Sequence, residues 1–223
     1  MDLYALIVAG GIGKRMGTDI PKQFIELAGK PVLMHAIEKF NSFDNSIRII
    51  VVIPEEQFST WDFLKGKYSF SVPHTVVIGG TSRFLSVKNG LELAGMKGLV
   101  AIHDGVRPFV SHETIRRCFE AAEKYGNAIP VISNINSLRL MTEQGSIPVN
   151  RQHIMLVQTP QVFKAELIKR AYLQEHCSEF TDDATVLEKT GETIHLVEGN
   201  RQNIKITNPE DFLIASALLS AMP

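Results

Sequence analysis

Two cysteines in 223 residues, Cys118 and Cys177, are too few for a disulfide framework or a cysteine-rich metal centre. Both fall in helix-like segments, which reads as buried thiols in a reducing compartment. An excess of one charge is also missing. The 23 Lys and Arg stand against 24 Asp and Glu, and a net charge of −1 gives no general attraction to nucleic acid or an anionic membrane. No apolar run approaches the length of a membrane span. No basic region precedes the first apolar run after Met1-Asp2, so no leader is expected and a soluble, cytoplasmic protein is. The seven histidines show no His-x-x-x-His spacing. Repeats and low-complexity linkers are absent as well. With 44% hydrophobic and 21% charged residues, the composition supports a packed core in one domain spanning 1–223.

What the chain does have is Ala9-Gly10-Gly11-Ile12-Gly13-Lys14-Arg15-Met16-Gly17, followed by Pro21-Lys22. It follows an unbroken apolar run, 3–8, that reads as a buried parallel strand. Four glycines in nine residues let the backbone turn sharply and leave N–H groups open to an anion. Lys14, Arg15 and Lys22 add three cations to the same short segment. The dinucleotide pattern needs a small residue where Met16 stands, and the Walker pattern needs Lys-Ser/Thr where Thr18-Asp19 stand. Glycine count alone leaves an ordinary tight loop open. Position after a first strand, at the carboxyl edge of an open sheet, favours a phosphate site.

The rest of the chain alternates. Strands are expected at 47–53, 75–78, 99–102 and 128–132, and helices over 32–40, 55–65, from Ser82 through Leu93, and over 112–125. Continuous rather than alternating apolar strands specify a mostly parallel sheet covered on both faces, an α/β, Rossmann-like three-layer sandwich. The rhythm fails at about 133–157, where turn-like clusters separate short runs of mixed polarity, as in a β-hairpin leaving the body of the domain. A protruding β-arm with apolar residues needs cover, and a second subunit is the simplest cover. Beyond it, Pro160-Gln161-Val162-Phe163 leads into a helix to about Gln174, and Thr181-Asp182-Asp183 caps another. Strand-like runs follow at 193–197 and 203–207, and Asn208-Pro209-Glu210-Asp211 opens the last helix.

Asp104 is the candidate metal ligand: a carboxylate at a strand end, on the same sheet edge as the glycine-rich loop. A carboxylate facing a polyphosphate is repelled unless a divalent cation lies between them, and Mg²⁺ needs only one or two protein oxygens. The alternative is a turn aspartate paired to Arg107. His103 invites a general-base reading, but a histidine there is more often structural, and a phosphate nucleophile is already ionised. Arg151 and Lys205 are isolated cations; Lys205, flanked by Ile204 and Ile206, needs a partner that a substrate phosphate would supply. Arg139 and Arg201 are weaker candidates of the same kind.

These residues resemble a known family. The loop motif with Pro21-Lys22-Gln23-Phe24 looks like the signature of nucleotidyltransferases that activate phosphorylated sugars and polyols. His103-Asp104-x-x-Arg107-Pro108, Thr159-Pro160-Gln161-x-Phe163, Thr181-Asp182-Asp183-Ala184 and Asn203-Ile204-Lys205-Ile206-Thr207 narrow it to the 2-C-methyl-D-erythritol 4-phosphate cytidylyltransferases of the non-mevalonate route to isoprenoids. The resemblance implies a reaction dependent on Mg²⁺ or another divalent cation, in which methylerythritol phosphate attacks the α-phosphorus of CTP and pyrophosphate leaves. By the same resemblance, Arg15 and Lys22 match the transition-state cations, and Arg151 and Lys205 the residues that hold the acceptor phosphate. Asp104 matches the position beside the metal. Ala9, Gly10, Gly11, Gly13 and Lys14 match the nucleotide loop, while Gly80, Ser86 and Gly105 match contacts to cytosine and ribose. Ser137, Thr159 and Thr181 fall at acceptor-binding positions, and the arm matches an interlocking homodimer element that carries Arg151 into the neighbouring site.

Two departures stand out. Asn136-Ser137-Leu138-Arg139 replaces the usual Asp-Thr-x-Lys of the arm, and Thr81 replaces a common acid after the Gly-Gly pair. Both bear on the acceptor's identity more than on the reaction type. The closest rival is a ribitol-5-phosphate cytidylyltransferase; the rival from another class is a non-catalytic nucleotide-binding module.

Overall fold

The computed structural model of the chain describes residues 1–11 and 20–221. Strand β1 (Leu3–Val8) lies inside the sheet, pairing in parallel with β4 (Arg48–Ile53) on one side and β6 (Leu99–Asp104) on the other. Between β1 and β4 in sequence, β2 (Glu26–Leu27) and β3 (Lys30–Pro31) make a short antiparallel pair of their own. β5 (Thr75–Ile78) extends the parallel half beyond β4. On the other side β11 (Gln161–Lys164) runs antiparallel between β6 and β7 (Asn127–Ser133). Two short strands also pair with β7 on opposite sides, both meeting Val131: β10 (Met155–Val157) antiparallel and β12 (Leu196–Glu198) parallel. Because the sheet is covered on both faces, β1, β4 and β6 bury nearly every side chain, which is why they appear as continuous apolar runs.

Two apolar layers sandwich it. One packs α1 (Val32–Phe43), α2 (Phe58–Lys67) and α4 (His112–Tyr125) through Phe40, Trp61, Ile115 and Phe119. The other packs α3 (Arg83–Leu93), α5 (Ala165–Ala171) and α6 (Asp183–Glu188) through Phe84, Val87, Ile168 and Val186. A third cluster seats α7 (Pro209–Ala221) against Leu27, Val32, Val106 and Phe109. Helix limits follow local chemistry. Ser111 accepts the Thr114 N–H at the start of α4, and Gly126 ends that helix at φ 96°, a conformation that favours glycine.

The expected architecture holds, with four local corrections. Residues 161–164 form a strand rather than the lead-in to a helix: four residues after a proline carry no periodicity that separates the two. Residues 203–207 form no strand; they are held by single bonds such as Ile206 N–H to Val106 O at 3.0 Å. The expected 193–197 strand is shorter and later, at Leu196–Glu198. Of the apolar residues Leu85, Val87, Leu91 and Leu93 expected along the helix from Ser82, Val87 and Leu91 face the core with Phe84, while Leu85 and Leu93 are exposed.

The irregular stretch contains the expected hairpin, β8 (Leu138–Thr142) paired with β9 (Gly145–Val149) in a two-stranded sheet of its own. Its return rejoins the main sheet through β10. No helix among the described residues is long and apolar enough to cross a membrane.

Candidate active site

The carboxyl ends of β1 and β6 and the turn after β5 open onto a cavity of about 240 Å³ lined by Ala9, Gly10, Gly11, Lys22, Gly80, Ser86, Arg83, Asp104 and Lys205, among others. Its floor is built by close approach. A Cβ on Gly80 would lie 2.3 Å from Leu85 Cβ, so only glycine lets that turn pack over the start of α3. The Ser86 hydroxyl accepts the Gly80 N–H at 3.1 Å and sits 2.9 Å from Ser82 O, tying turn and helix together. The Lys22 side chain crosses Gly11, where an added Cβ would meet its Cε at 3.1 Å.

A second cavity, of about 300 Å³, adjoins the first and is lined by Thr159, Gln161, Thr181, Asp182 and Arg107. Arg83, Asp104 and Lys205 line both. Asp104, the last residue of β6, is therefore the centre of the arrangement. Its Oδ2 lies 3.0 Å from Lys205 Nζ and accepts from Arg107 Nε at 3.2 Å, while Oδ1 lies 3.7 Å from Arg83 Nε. Burial alone would raise its pKa, but Arg83, Lys205 and Arg107 outweigh it and hold the carboxyl well below the usual carboxylate range.

Lys205 reaches Asp104 because its neighbours are anchored. Asn203 Nδ2 donates to Thr159 O at 2.7 Å, Arg107 Nη1 donates to Asn203 O at 2.8 Å, and Ile206 is fully buried in the third apolar cluster. Alternation about these anchors leaves Lys205 on the rim.

His103 is structural in its contacts. Thr159 Oγ1 accepts the Asp104 N–H at 3.1 Å and lies 3.0 Å from His103 Nδ1; the other ring nitrogen lies 3.0 Å from Arg107 O. A carbonyl only accepts, so Nε2 carries the proton and Nδ1 takes the threonine hydroxyl. Burial pushes this imidazole down to about 4, which keeps it neutral with both nitrogens committed.

The structure thus brings together Ala9, Gly10, Gly11, Lys22, Gly80, Ser86, Asp104, Thr159, Thr181 and Lys205 around two joined cavities. Gly13, Lys14 and Arg15 lie outside the described residues. Gly105 lines neither cavity; it is packed behind the first, where a Cβ would lie 2.9 Å from Ala9 Cβ. Ser137 and Arg151 also line neither. They sit at the base of the hairpin, and Arg151 Nη1 donates to Ile135 O at 2.7 Å. Sequence reasoning passed over Arg83. Its partner Asp183 is 100 positions away, in a cluster that reads locally as a helix cap.

The family model of 2-C-methyl-D-erythritol 4-phosphate cytidylyltransferase matches residues 3–221. The chain belongs to this family. The protein of that name from Bacteroides thetaiotaomicron is 55% identical over 219 residues, covering 98% of this chain and 100% of its own. Its counterpart in Porphyromonas gingivalis is 47% identical with 98% of each chain covered. Among solved structures, the enzyme of that name from Thermus thermophilus superposes with a TM-score of 0.81 at 29% identity, over 99% of this chain and 100% of the other. The 4-diphosphocytidyl-2C-methyl-D-erythritol synthase from Anaerococcus prevotii gives 0.83, also at 29%, over 98% and 96%. The chain is accordingly a nucleotidyltransferase, and the ribitol-phosphate alternative is not favoured.

For a cytidylyltransferase the donor set tests whether a divalent cation fits. No group of three or more His, Cys, Asp or Glu able to hold a metal occurs among the described residues. One hard carboxylate oxygen, Asp104 Oδ1, has no described contact closer than the 3.7 Å to Arg83. That fits an ion such as Mg²⁺ that takes its other ligands from water and substrate phosphate, not one caged by protein.

Proposed function

We propose that the chain joins CTP and 2-C-methyl-D-erythritol 4-phosphate, giving the cytidine diphosphate product and pyrophosphate for isoprenoid synthesis, with the nucleotide in the glycine-floored cavity and the acceptor in the one beside Thr159 and Thr181. The observation that carries this is the shared wall: Asp104 and Lys205 border both cavities, so donor and acceptor phosphates meet there.

An acceptor phosphate oxygen bonds to the α-phosphorus while the bond to the bridging oxygen breaks and the pair leaves with pyrophosphate. No proton need be removed, in keeping with a neutral, fully engaged His103. The protein's task is alignment and compensation of charge. Lys22 serves the crowded phosphates from the glycine side, with Arg15 in the same role, and Lys205 orients the acceptor phosphate. Asp104 Oδ1 would hold Mg²⁺ or another divalent cation, which supplies charge neutralisation to the triphosphate when bound. Gly80 and Ser86 place backbone and hydroxyl groups where cytosine is distinguished from uracil by its amino group.

Arg151 and Ser137 reach a site only if the arm enters a neighbour's. The arm's exposed Ile135, Leu140, Met141 and Ile147 support a homodimer through that element, because an isolated chain would leave them in water. The two free cysteines suit the cytoplasm.

The test is pyrophosphate release from CTP and Mg²⁺ with either methylerythritol phosphate or ribitol phosphate as acceptor. Turnover with the first and little with the second is expected, and Lys22→Ala loses it while remaining folded. Release with neither acceptor would leave only a nucleotide-binding module. Mixing inactive Lys22→Ala and Arg151→Ala chains should recover activity that neither has alone; no recovery, or a monomer in sedimentation at micromolar concentration, rejects the arm-shared site.

A further inference from the structure

Arg83 has no part in the reading above, yet it stands in the wall common to both cavities and is held there from behind. Its Nη1 and Nη2 donate to the two oxygens of Asp183 at 2.8 and 2.7 Å, a two-pronged grip that sets the plane of the guanidinium as well as its position. Asp183 is fully buried and accepts a third bond from the Tyr172 hydroxyl at 2.6 Å.

The start of α6 is built to deliver this carboxylate. Asp182 accepts the Thr185 N–H at 2.9 Å as the helix cap, and Gln161 donates to Asp182 Oδ2 at 2.8 Å while accepting the Ala184 N–H at 2.9 Å. Two neighbouring acids thus have different work: the first fastens the helix to β11, and the second faces Arg83.

Burying an ionised carboxylate is unfavourable, and an apolar contact would join α3 to α6 without that cost. What an ion pair does in addition is aim a cation. Arg83 Nε lies toward Asp104 Oδ1, whereas Lys205 and Arg107 both take Oδ2. Only two of the five guanidinium N–H donors are used on Asp183, so the others remain for anions arriving at the wall.

We propose that Asp183 is a positioning residue for cytidylyl transfer: it fixes Arg83 beside Asp104 Oδ1, and Arg83 both orients that carboxylate and receives phosphate oxygens where the two cavities join. This rests on reading those cavities as the donor and acceptor sites.

The experiment is steady-state kinetics with CTP, Mg²⁺ and methylerythritol phosphate on the parent chain, Asp183→Asn, Arg83→Lys and the double variant, with folded fraction verified by circular dichroism. Asp183→Asn keeps the shape but releases one prong, and Arg83→Lys keeps the charge but not the fork. Each is expected to lower kcat at saturating substrate on the order of tenfold to a hundredfold per folded molecule. The double variant should be no worse than its weaker parent, because both changes break one linkage. A melting temperature that falls while kcat per folded molecule stays within about twofold overturns the inference, leaving the pair a purely structural tie. Losses that multiply in the double variant overturn it as well. If Asp183→Asn fails to fold, Arg83→Lys decides by the same kcat criterion. A parent chain without activity removes the functional reading and this inference together; an active parent with an equally active Asp183→Asn removes this inference alone.

Discussion

Lys205 Nζ lies 3.0 Å from Asp104 Oδ2, joining the segment ahead of α7 to the end of β6. The lysine side chain is 41% exposed and the aspartate side chain 10% exposed, so the pair is a rim cation leaning on a sunken anion. Removing the lysine leaves Asp104 still paired with Arg107 and Arg83. Lys205→Ala is therefore expected to fold normally and to lower kcat/KM for the acceptor on the order of 10²-fold, with a smaller change in the KM for CTP. Kinetics at saturating CTP check this; an unchanged acceptor dependence removes Lys205 from that role.

Gly80→Ala forces a Cβ to within 2.3 Å of Leu85 Cβ and 3.0 Å of the Leu85 carbonyl carbon. The backbone neighbour cannot step aside as a long side chain would. Overpacking of this kind costs about 1–3 kcal/mol, and here it also displaces the Gly80 N–H from Ser86. The expected outcome is a lower melting temperature together with a raised KM for CTP. A melting curve and CTP titration indistinguishable from the parent would show that the turn has more room.

The only tryptophan, Trp61, donates its indole N–H to Nε2 of His74 at 3.1 Å, and Nδ1 of His74 lies 2.7 Å from Val72 O. Nε2 must then be unprotonated, since a proton there would face the indole hydrogen. Burial first, with Lys65 nearby, lowers the pKa of His74 below 6.5. In the folded chain the proton is refused at a pH where the unfolded chain accepts it. The stability involved is complete above about pH 6.5 and is lost as pH falls from there through the folded value. His74→Gln keeps an acceptor without a titratable proton. Its melting temperature should decline less than the parent's between pH 7 and 5, and equal slopes would show that His74 does not contribute.

Cys118 is fully buried, and burial pushes its thiol up to about 12; Cys177 is partly exposed. A thiol reagent at pH 8 should titrate Cys177 in the native protein and both cysteines only after guanidinium unfolding. Rapid native reaction of both thiols would mean that the packing under α4 opens readily.

The legible parts of this molecule were those written locally. Leu3–Val8 before a glycine cluster, the apolar run 99–102 leading to Asp104, and the helix over 112–125 each carry their structure within about ten residues or a few turns. Lys205 was legible as a cation lacking a local explanation, but its partner proved to be Asp104 as the structure stands. Arg83 was not legible, since a basic residue one place after a helix cap is ordinary and the fold alone brings Asp183 to it. The strand Gln161–Lys164 was hidden for a different reason: four residues are too few to display a period, and its direction is decided by β6 and β7 on either side.

That reversed strand decides where the chain leaves and re-enters the sheet. β6 and β7 finish at the end of the sheet that carries the cavities, whereas β11 begins there, so the excursion of 133–157 both departs from and re-enters the sheet at that end. From the hairpin the chain runs through β10 to Thr159, whose hydroxyl accepts the Asp104 N–H and lies 3.0 Å from His103 Nδ1. The hairpin and the paired cavities are therefore separated by only a few residues of chain at Thr159.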